Sequence, residues 1–337
     1  MKILILGGTG FLGPHQVHLA LERGHSVTLF NRGRTVPRMF VRDFDHVEQL
    51  VGDRENDLDA LAGGRWDVVI DNSTRRSSWA AATVDRLRGA ADRYVFVSST
   101  GVYYPYLGTH ISEAAVVLTQ DTRNDQDGSM TYGVMKAASE EAVRAGFGDR
   151  AIIVRPGHIV GPGDTQPNRF PYWTTRLERG GEILAPGMKS DPTQLIDVRD
   201  LIGFMFHLFE TEKDGTFNVV GPASLLSMEQ FLYGVRACTG APVSWVWVED
   251  HAWLAENRLV AAIPWVLPQG DEVGHMSIDA SRALAAGLAL RPLADTVFDV
   301  IAWWHSDAVP PDVRDNARFP LTPDRERELI AAWRARE

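Results

Sequence analysis

The run "KILILGGTGFLG", residues 2–13, constrains this chain more than any other stretch. Residues 3–6 are apolar without alternation, as a strand buried on both faces of a sheet requires. Glycines at 7, 8, 10 and 13 then lead into helical spacing over residues 11–23, which stops at Gly24, and "SVTLF" supplies a second β-rich run. Strand, glycine turn, helix and strand make a βαβ unit, which commits the chain to a layered α/β fold. Short strand-like runs at 47–51, "WDVVID" and "RYVFVSS", with a helical stretch over 79–91, extend the same alternation.

After "AIIVRPGHIVGPGD" the chain becomes richer in Pro, Gly and Trp and the alternation fades. The expected fold class is therefore a Rossmann-type doubly wound parallel sheet with a smaller C-terminal α/β lobe. Residues 1–160 read as a dinucleotide-binding domain, and 161–337 as mainly a substrate lobe with some segments returning to the first domain. Within the second part Ser227 is placed to cap "MEQFLYGVRA", residues 293–304 are amphipathic, and Thr322 with Pro323 opens a last helix. Asp197 and Asp200 in "LIDVRDL" read as capping or bracing residues rather than a catalytic carboxylate pair.

The glycine turn fits a phosphate cradle, because it follows a strand and opens a helix. Gly7 or Gly8 makes the tight turn, Gly10 lets a pyrophosphate approach the backbone, and Gly13 lets helix and strand pack closely. A dinucleotide site ordinarily has an acid at the end of the second strand for the ribose 2′-hydroxyl, and here that strand runs "TLFNRGR". Asn31, Arg32 and Arg34 stand where the acid is expected, and a guanidinium grips a 2′-phosphate that a carboxylate would repel. NADP is the expected cofactor, with NAD as the alternative. Asp53 and Arg54, after another short strand, are expected at the edge of the adenine pocket.

"VFVSSTGVYY" ends a strand, where open α/β sheets place ligands, and "TYGVMK" puts Tyr132 and Lys136 on one helix face. A phenol is a poor base at neutral pH unless a nearby positive charge stabilises its anion. Ser99 is placed to hold a substrate oxygen while Tyr132 gives or takes its proton.

In order, "GGTGFLG", "SSTGVY", "YGVMK", "RPGHIVGPGD", "QLIDVRDL", "GTFNVVG" and "DASRALAAGL" resemble the extended short-chain dehydrogenase/reductases, also called NAD-dependent epimerase/dehydratases, over nearly the whole chain. The resemblance implies that Tyr132 is the catalytic acid/base and that Lys136 orients the nicotinamide ribose and lowers the tyrosine pKa. It also implies that Ser99 or Thr100 holds the reacting oxygen. The cofactor contacts it implies are Gly7, Thr9, Gly10, Phe11, Leu12, Gly13, Ser73, Lys136, Pro156 and His158. "NRGR" and "NRFPYW" look closer to an atypical bacterial branch that also resembles chloroplast stem-loop RNA-binding proteins.

Three departures narrow the reading. Sugar-nucleotide dehydratases carry Asp-Glu after the threonine, whereas Gly101 and Val102 follow Thr100. Epimerases of the family hold NAD through an acid after the second strand, which is missing here. The 33 positions between Ser99 and Tyr132 are longer than usual, and residues 105–130 are expected to loop over the site. Tyr103 and Trp173 are expected on the substrate side, beside Thr100, with His158 and Arg169 as polar handles. Tyr104, Tyr106, Phe170 and Tyr172 are further aromatic candidates.

The leading reading is an NADP-dependent oxidoreductase acting on a carbonyl or alcohol of a small molecule. A nucleotide-sugar epimerase with retained NAD and a nucleotide- or RNA-binding protein on a reductase scaffold are the alternatives. A net charge of −10 argues against nucleic acid and anionic membranes as partners. The apolar run at 3–6 is too short for a signal core or a membrane span. Cys238 is the only cysteine, which excludes an internal disulfide and fits a cytoplasmic setting. No metal site is expected, and a homodimer is left open.

Overall fold

The structure is a computed structural model that describes residues 1–72, 75–119, 129–164, 169–315, 317 and 319–336. In chain order the first body contains β1 (Lys2–Leu6), α1 (Leu12–Glu22), β2 (Ser26–Asn31), β3 (Glu48–Val51), β4 (Trp66–Asp71), α2 (Ser77–Leu87), β5 (Ala91–Val97), α3 (Ser129–Phe147) and β6 (Ala151–Pro156). There follow β7 (Ile159–Val160), α4 (Pro171–Arg179), β8 (Gly181–Pro186), β9 (Pro192–Asp197), α5 (Val198–Glu210), β10 (Gly215–Val219), β11 (Gly221–Ser227), α6 (Met228–Ala237) and β12 (Val243–Val248).

Seven strands form one parallel sheet in the order β10-β6-β5-β4-β1-β2-β3. The "KILIL" run shows why its pattern does not alternate. Ile3 and Ile5 pack against α1 and α5, including Val17, Leu201 and Met205. Leu4 and Leu6 pack on the other face against α2 and α3, including Val84, Leu87 and Val143. With helices on both faces, every position of the strand beyond Lys2 is buried.

The strand order reverses between β1 and β4, and the crevice beyond their carboxyl ends is where such sheets receive ligands. Gly13 permits the α1 N-terminus to press on the turn: a Cβ there would stand 2.2 Å from the Gly8 carbonyl oxygen. A Cβ at Gly10 meets nothing within 4 Å.

The second lobe is built on the parallel pair β8 and β12, covered by α4, α6 and the helices Leu293–Trp304 and Pro323–Arg334. Phe170, Trp173, Phe231 and Trp265 fill its core. A three-stranded sheet, β11-β9-β7, runs beside it, and the chain then returns to the first body, with α5 beside α1 and β10 at the sheet edge. Asp197 makes that return rigid. Its Oδ1 accepts from the Arg199 amide at 2.9 Å to cap α5, and its Oδ2 accepts from Thr296 of the Leu293–Trp304 helix at 2.7 Å. Ser227 and Gln230 form a full capping box on α6, and Thr322 caps the last helix. Among the described residues no helix is long and apolar enough to cross a membrane, and no cluster of His, Cys, Asp or Glu is arranged to hold a metal ion.

The two glycines predict opposite outcomes. Gly13→Ala forces α1 off the turn and lowers stability by about 1–3 kcal/mol, as overpacking does. Gly10→Ala keeps the melting temperature of the wild type and loses at least about ten-fold in dinucleotide affinity, because its methyl fills the cradle. Thermal melts and fluorescence titration with NADPH distinguish the two.

Candidate active site

Two clefts open along the carboxyl edge of the sheet. One, of about 420 Å³, brings residues 7 and 9–13 of the glycine turn together with Asn31, Arg32, Arg34, Asp53 and Arg54. Asn31 Oδ1 accepts from the Gly33 amide at 2.7 Å, which curls the chain after β2, while its Nδ2 is buried without a partner. Trp79 lines the same cleft, and its Nε1 is likewise buried and unpartnered. Two buried donors without acceptors, beside a turn with room at Gly10, fit a ligand rich in phosphate and ribose oxygens.

Arg32 and Arg34 are exposed at the rim, and among the described residues neither pairs with a carboxylate. Arg54 is differently placed: it forms an ion pair with the buried Asp71, which also accepts from the Tyr94 hydroxyl at 2.6 Å. Asp53 Oδ1 accepts from the Glu55 amide at 3.0 Å. The carboxylate therefore shapes the turn as well as lining the cleft.

The second cleft, about 480 Å³, lies beyond β5 and β6 and contains Ser99, Thr100, Tyr132 and His158. Its geometry rests on a glycine contact. A Cβ at Gly133 would stand 2.2 Å from the Gly101 carbonyl oxygen, so only glycine lets the α3 N-terminus settle on the turn after β5. That approach brings Tyr132 against Ser99. Ser99 Oγ accepts from the Gly101 amide at 3.0 Å and lies near enough to the Tyr132 hydroxyl to lower its pKa. Loss of water at the hydroxyl raises the Tyr132 pKa, while Ser99 and the Arg169 charge pull it down. With its pKa above the usual 10, the phenol keeps its proton at neutral pH.

One turn on, Lys136 is 1% exposed. Its ammonium donates to the Val97 carbonyl at 2.7 Å and stands 5.0 Å from the Phe96 ring centroid and 5.8 Å from that of Tyr132. The cation lies under the tyrosine ring rather than at its oxygen, and the charge that bears on the hydroxyl is that of Arg169. Burial lowers the Lys136 pKa to about 8, and the Asp71 and Glu140 carboxylates resist that fall.

A buried network lies behind this face. Glu140 accepts from Arg155 Nε at 2.8 Å, from Arg155 Nη2 at 2.6 Å and from Ser98 at 2.5 Å. Arg155 also donates to the Tyr103 hydroxyl at 2.6 Å, which donates to Asn218 at 2.7 Å.

Tyr103 is thus committed to the interior and does not line the pocket. Trp173 does not reach it either: its indole donates to the Ala262 carbonyl at 3.2 Å within the second-lobe core. The core also takes Phe170 and Tyr172. Arg169 pairs with Asp164 at 3.3 Å and donates to the Ile159 carbonyl, so it acts on Tyr132 through its field. Pro156 is buried at the end of β6, and His158 lines the second cleft, not the first. Ser73 and residues 120–128 of the expected covering loop lie outside the described residues.

The second cleft also holds residues that sequence reasoning missed. Glu272 and His275, from a segment far along the chain, line it beside Tyr104 and Tyr106. No spacing in the sequence ties them to Tyr132, and only the tertiary fold brings them there.

A model of the NAD dependent epimerase/dehydratase family matches residues 3–220. The chain is 29% identical over 236 residues to a chloroplast stem-loop binding protein of 41 kDa from Arabidopsis thaliana, a match covering 65% of this chain and 58% of that protein. It is 29% identical over 265 residues to 2-alkyl-3-oxoalkanoate reductase of Stenotrophomonas maltophilia, covering 72% and 77% of the two chains. Among solved structures, a putative epimerase from Burkholderia cenocepacia superposes with a TM-score of 0.69 at 21% identity, over 90% of this chain and 98% of that one. These agree with the Rossmann-type sheet seen here.

The buried lysine carries a test with a defined sign. Its folded pKa of about 8 lies below the ordinary 10.5, so between those values the unfolded chain holds a proton that the folded chain has released. Stability from this group therefore rises with pH across that window. Lys136→Met is expected to be more stable than wild type at pH 7, by up to about 3 kcal/mol, and to lose that advantage as pH rises toward 10. Denaturant midpoints of both proteins across this range measure it.

Proposed function

The chain belongs to the NAD dependent epimerase/dehydratase family, and on that premise we propose that it is an NADP-dependent oxidoreductase that moves a hydride to or from a carbonyl or alcohol carbon of a small molecule. The observation that carries this reading is the end of β2. Asn31 stands where a ribose-binding acid is expected, and Arg32 and Arg34 line the cleft. A 2′-phosphate brings a double negative charge that these guanidinium groups bind in paired hydrogen bonds.

Residues 7–13, Asn31, Arg32, Arg34 and Trp79 would hold the dinucleotide, which when bound supplies or accepts the hydride. In the reducing direction, Ser99 holds the substrate carbonyl oxygen, and Tyr132 gives its proton to that oxygen as negative charge develops on it. The phenol carries its proton at neutral pH, as a donor must, and the Ser99 hydroxyl and the Arg169 charge partly offset the rise in pKa that weakens it as an acid. Lys136, fixed on the Val97 carbonyl, sits beneath the Tyr132 ring and holds its place, and the Arg169 charge favours the phenolate left after transfer. In the oxidising direction the same groups run the proton the other way.

A retained-NAD epimerase is disfavoured by the missing acid after β2. A nucleic-acid-binding role is disfavoured by the net charge of −10. Arg32→Asp is expected to weaken NADPH binding at least about ten-fold and to bring NADH affinity level with it or above it. Paired titrations of the variant and wild type with NADPH and NADH check this; an unchanged preference removes the 2′-phosphate assignment.

A further inference from the structure

The wall of the second cleft formed by the C-terminal segment has chemistry that hydride transfer at one carbon does not use. The segment is sewn to the turn after β5: the Tyr106 amide donates to the Asp271 carbonyl at 2.7 Å, and the Gly274 amide donates back to the Tyr106 carbonyl at 2.7 Å. Further along, the Ile111 amide donates to the Ser277 carbonyl at 3.0 Å. The Tyr104 hydroxyl donates to Asp271 at 3.1 Å. His275 is therefore held on two sides. Its ring stacks flat on Tyr106, with centroids 4.2 Å apart and planes 9° apart, and lies 5.1 Å from the His158 ring.

Its Nδ1 meets Glu272 Oε2 at 2.6 Å. A carboxylate at Nδ1 accepts the proton there, so the neutral imidazole carries its hydrogen on Nδ1 and presents the Nε2 lone pair. Among the described residues nothing bonds to that nitrogen, although His275 lines the cleft. Ser99 and Tyr132, the pair already assigned to the reacting oxygen, line the same cleft.

We propose that His275 is a substrate-binding residue whose Nε2 accepts a hydrogen bond from a second hydroxyl of the substrate, so that the pocket selects diols and hydroxy ketones over simple alcohols and ketones. The proposal rests on the reading of Ser99 and Tyr132 as the reacting-oxygen site. Two fixed hydrogen-bonding stations, one for each oxygen, then define the substrate class. A cleft nitrogen fixed to accept a hydroxyl favours the ligand that supplies one over the analogue without it.

The test is the binding of 1,2-cyclohexanediol and of cyclohexanol to the protein at pH 8 with NADP⁺ present, measured by calorimetry. Wild type is expected to bind the diol at least about ten-fold more tightly, the worth of one well-made hydrogen bond. In His275→Phe the preference falls to within about two-fold with cyclohexanol affinity retained, and in His275→Gln, which keeps an acceptor, most of it returns. Should the phenylalanine variant not fold, His275→Ala takes its place. A wild type without preference for the diol, including one that binds neither alcohol, overturns the proposal, as does a preference that survives removal of the imidazole. NADPH consumption is not the readout, so a protein that prefers the diol yet reduces no carbonyl compound sinks the proposed activity and leaves this assignment standing.

Discussion

An ammonium group held in the dry interior is the constraint around which this structure is arranged. Lys136 is buried at the junction of α3 and β5, and its charge survives there because the Val97 carbonyl and the Asp71 and Glu140 carboxylates offset part of the lost hydration. Each of those partners is itself tied down: Asp71 by Arg54 and Tyr94, Glu140 by Arg155, Arg144 and Ser98. The result is a linked set of buried polar groups running from the glycine-turn cleft through the lysine to Arg155 and Tyr103. Such networks hold one geometry when fully satisfied, and Tyr132 inherits that geometry from the helix it shares with Lys136 and Glu140.

The parallel sheet explains why the two clefts share one edge. All seven strands point the same way, so every loop after a carboxyl end faces a common side. The loops after β1, β2, β3 and β4 build the cleft with the phosphate-type cradle. Those after β5 and β6 carry Ser99 and His158. The second lobe adds to the latter cleft a segment with backbone hydrogen bonds to the turn holding Tyr104 and Tyr106, which brings Glu272 and His275 into the same cleft as Ser99. The missing acid at Asn31 and the paired arginines are features of the first cleft alone.

What was legible in the sequence was local. The unalternating "KILIL" run, the glycine turn, the Ser227 and Thr322 caps and the shared face of Tyr132 and Lys136 all follow from periods and spacings within a few residues. Direction and depth were not legible. Spacing places an ammonium near a phenol, but the Val97 carbonyl draws Lys136 beneath the ring instead of toward the hydroxyl. Aromatic identity does not say where a ring points, so Tyr103 turns inward to Arg155 and Asn218, and Trp173 fills the second-lobe core. His275 was invisible for the converse reason: its place depends on long-range backbone pairing that has no local signature.

The central claim is that Tyr132, set by the buried lysine, donates the proton in an NADPH-linked reduction. Its most direct test is the turnover of carbonyl compounds by wild type and Tyr132→Phe at saturating NADPH, with cofactor affinity measured alongside. Turnover by the wild type, with at least about a hundred-fold loss in the variant at unchanged NADPH affinity, is the result expected of a lost general acid. Equal turnover by the two proteins would contradict it.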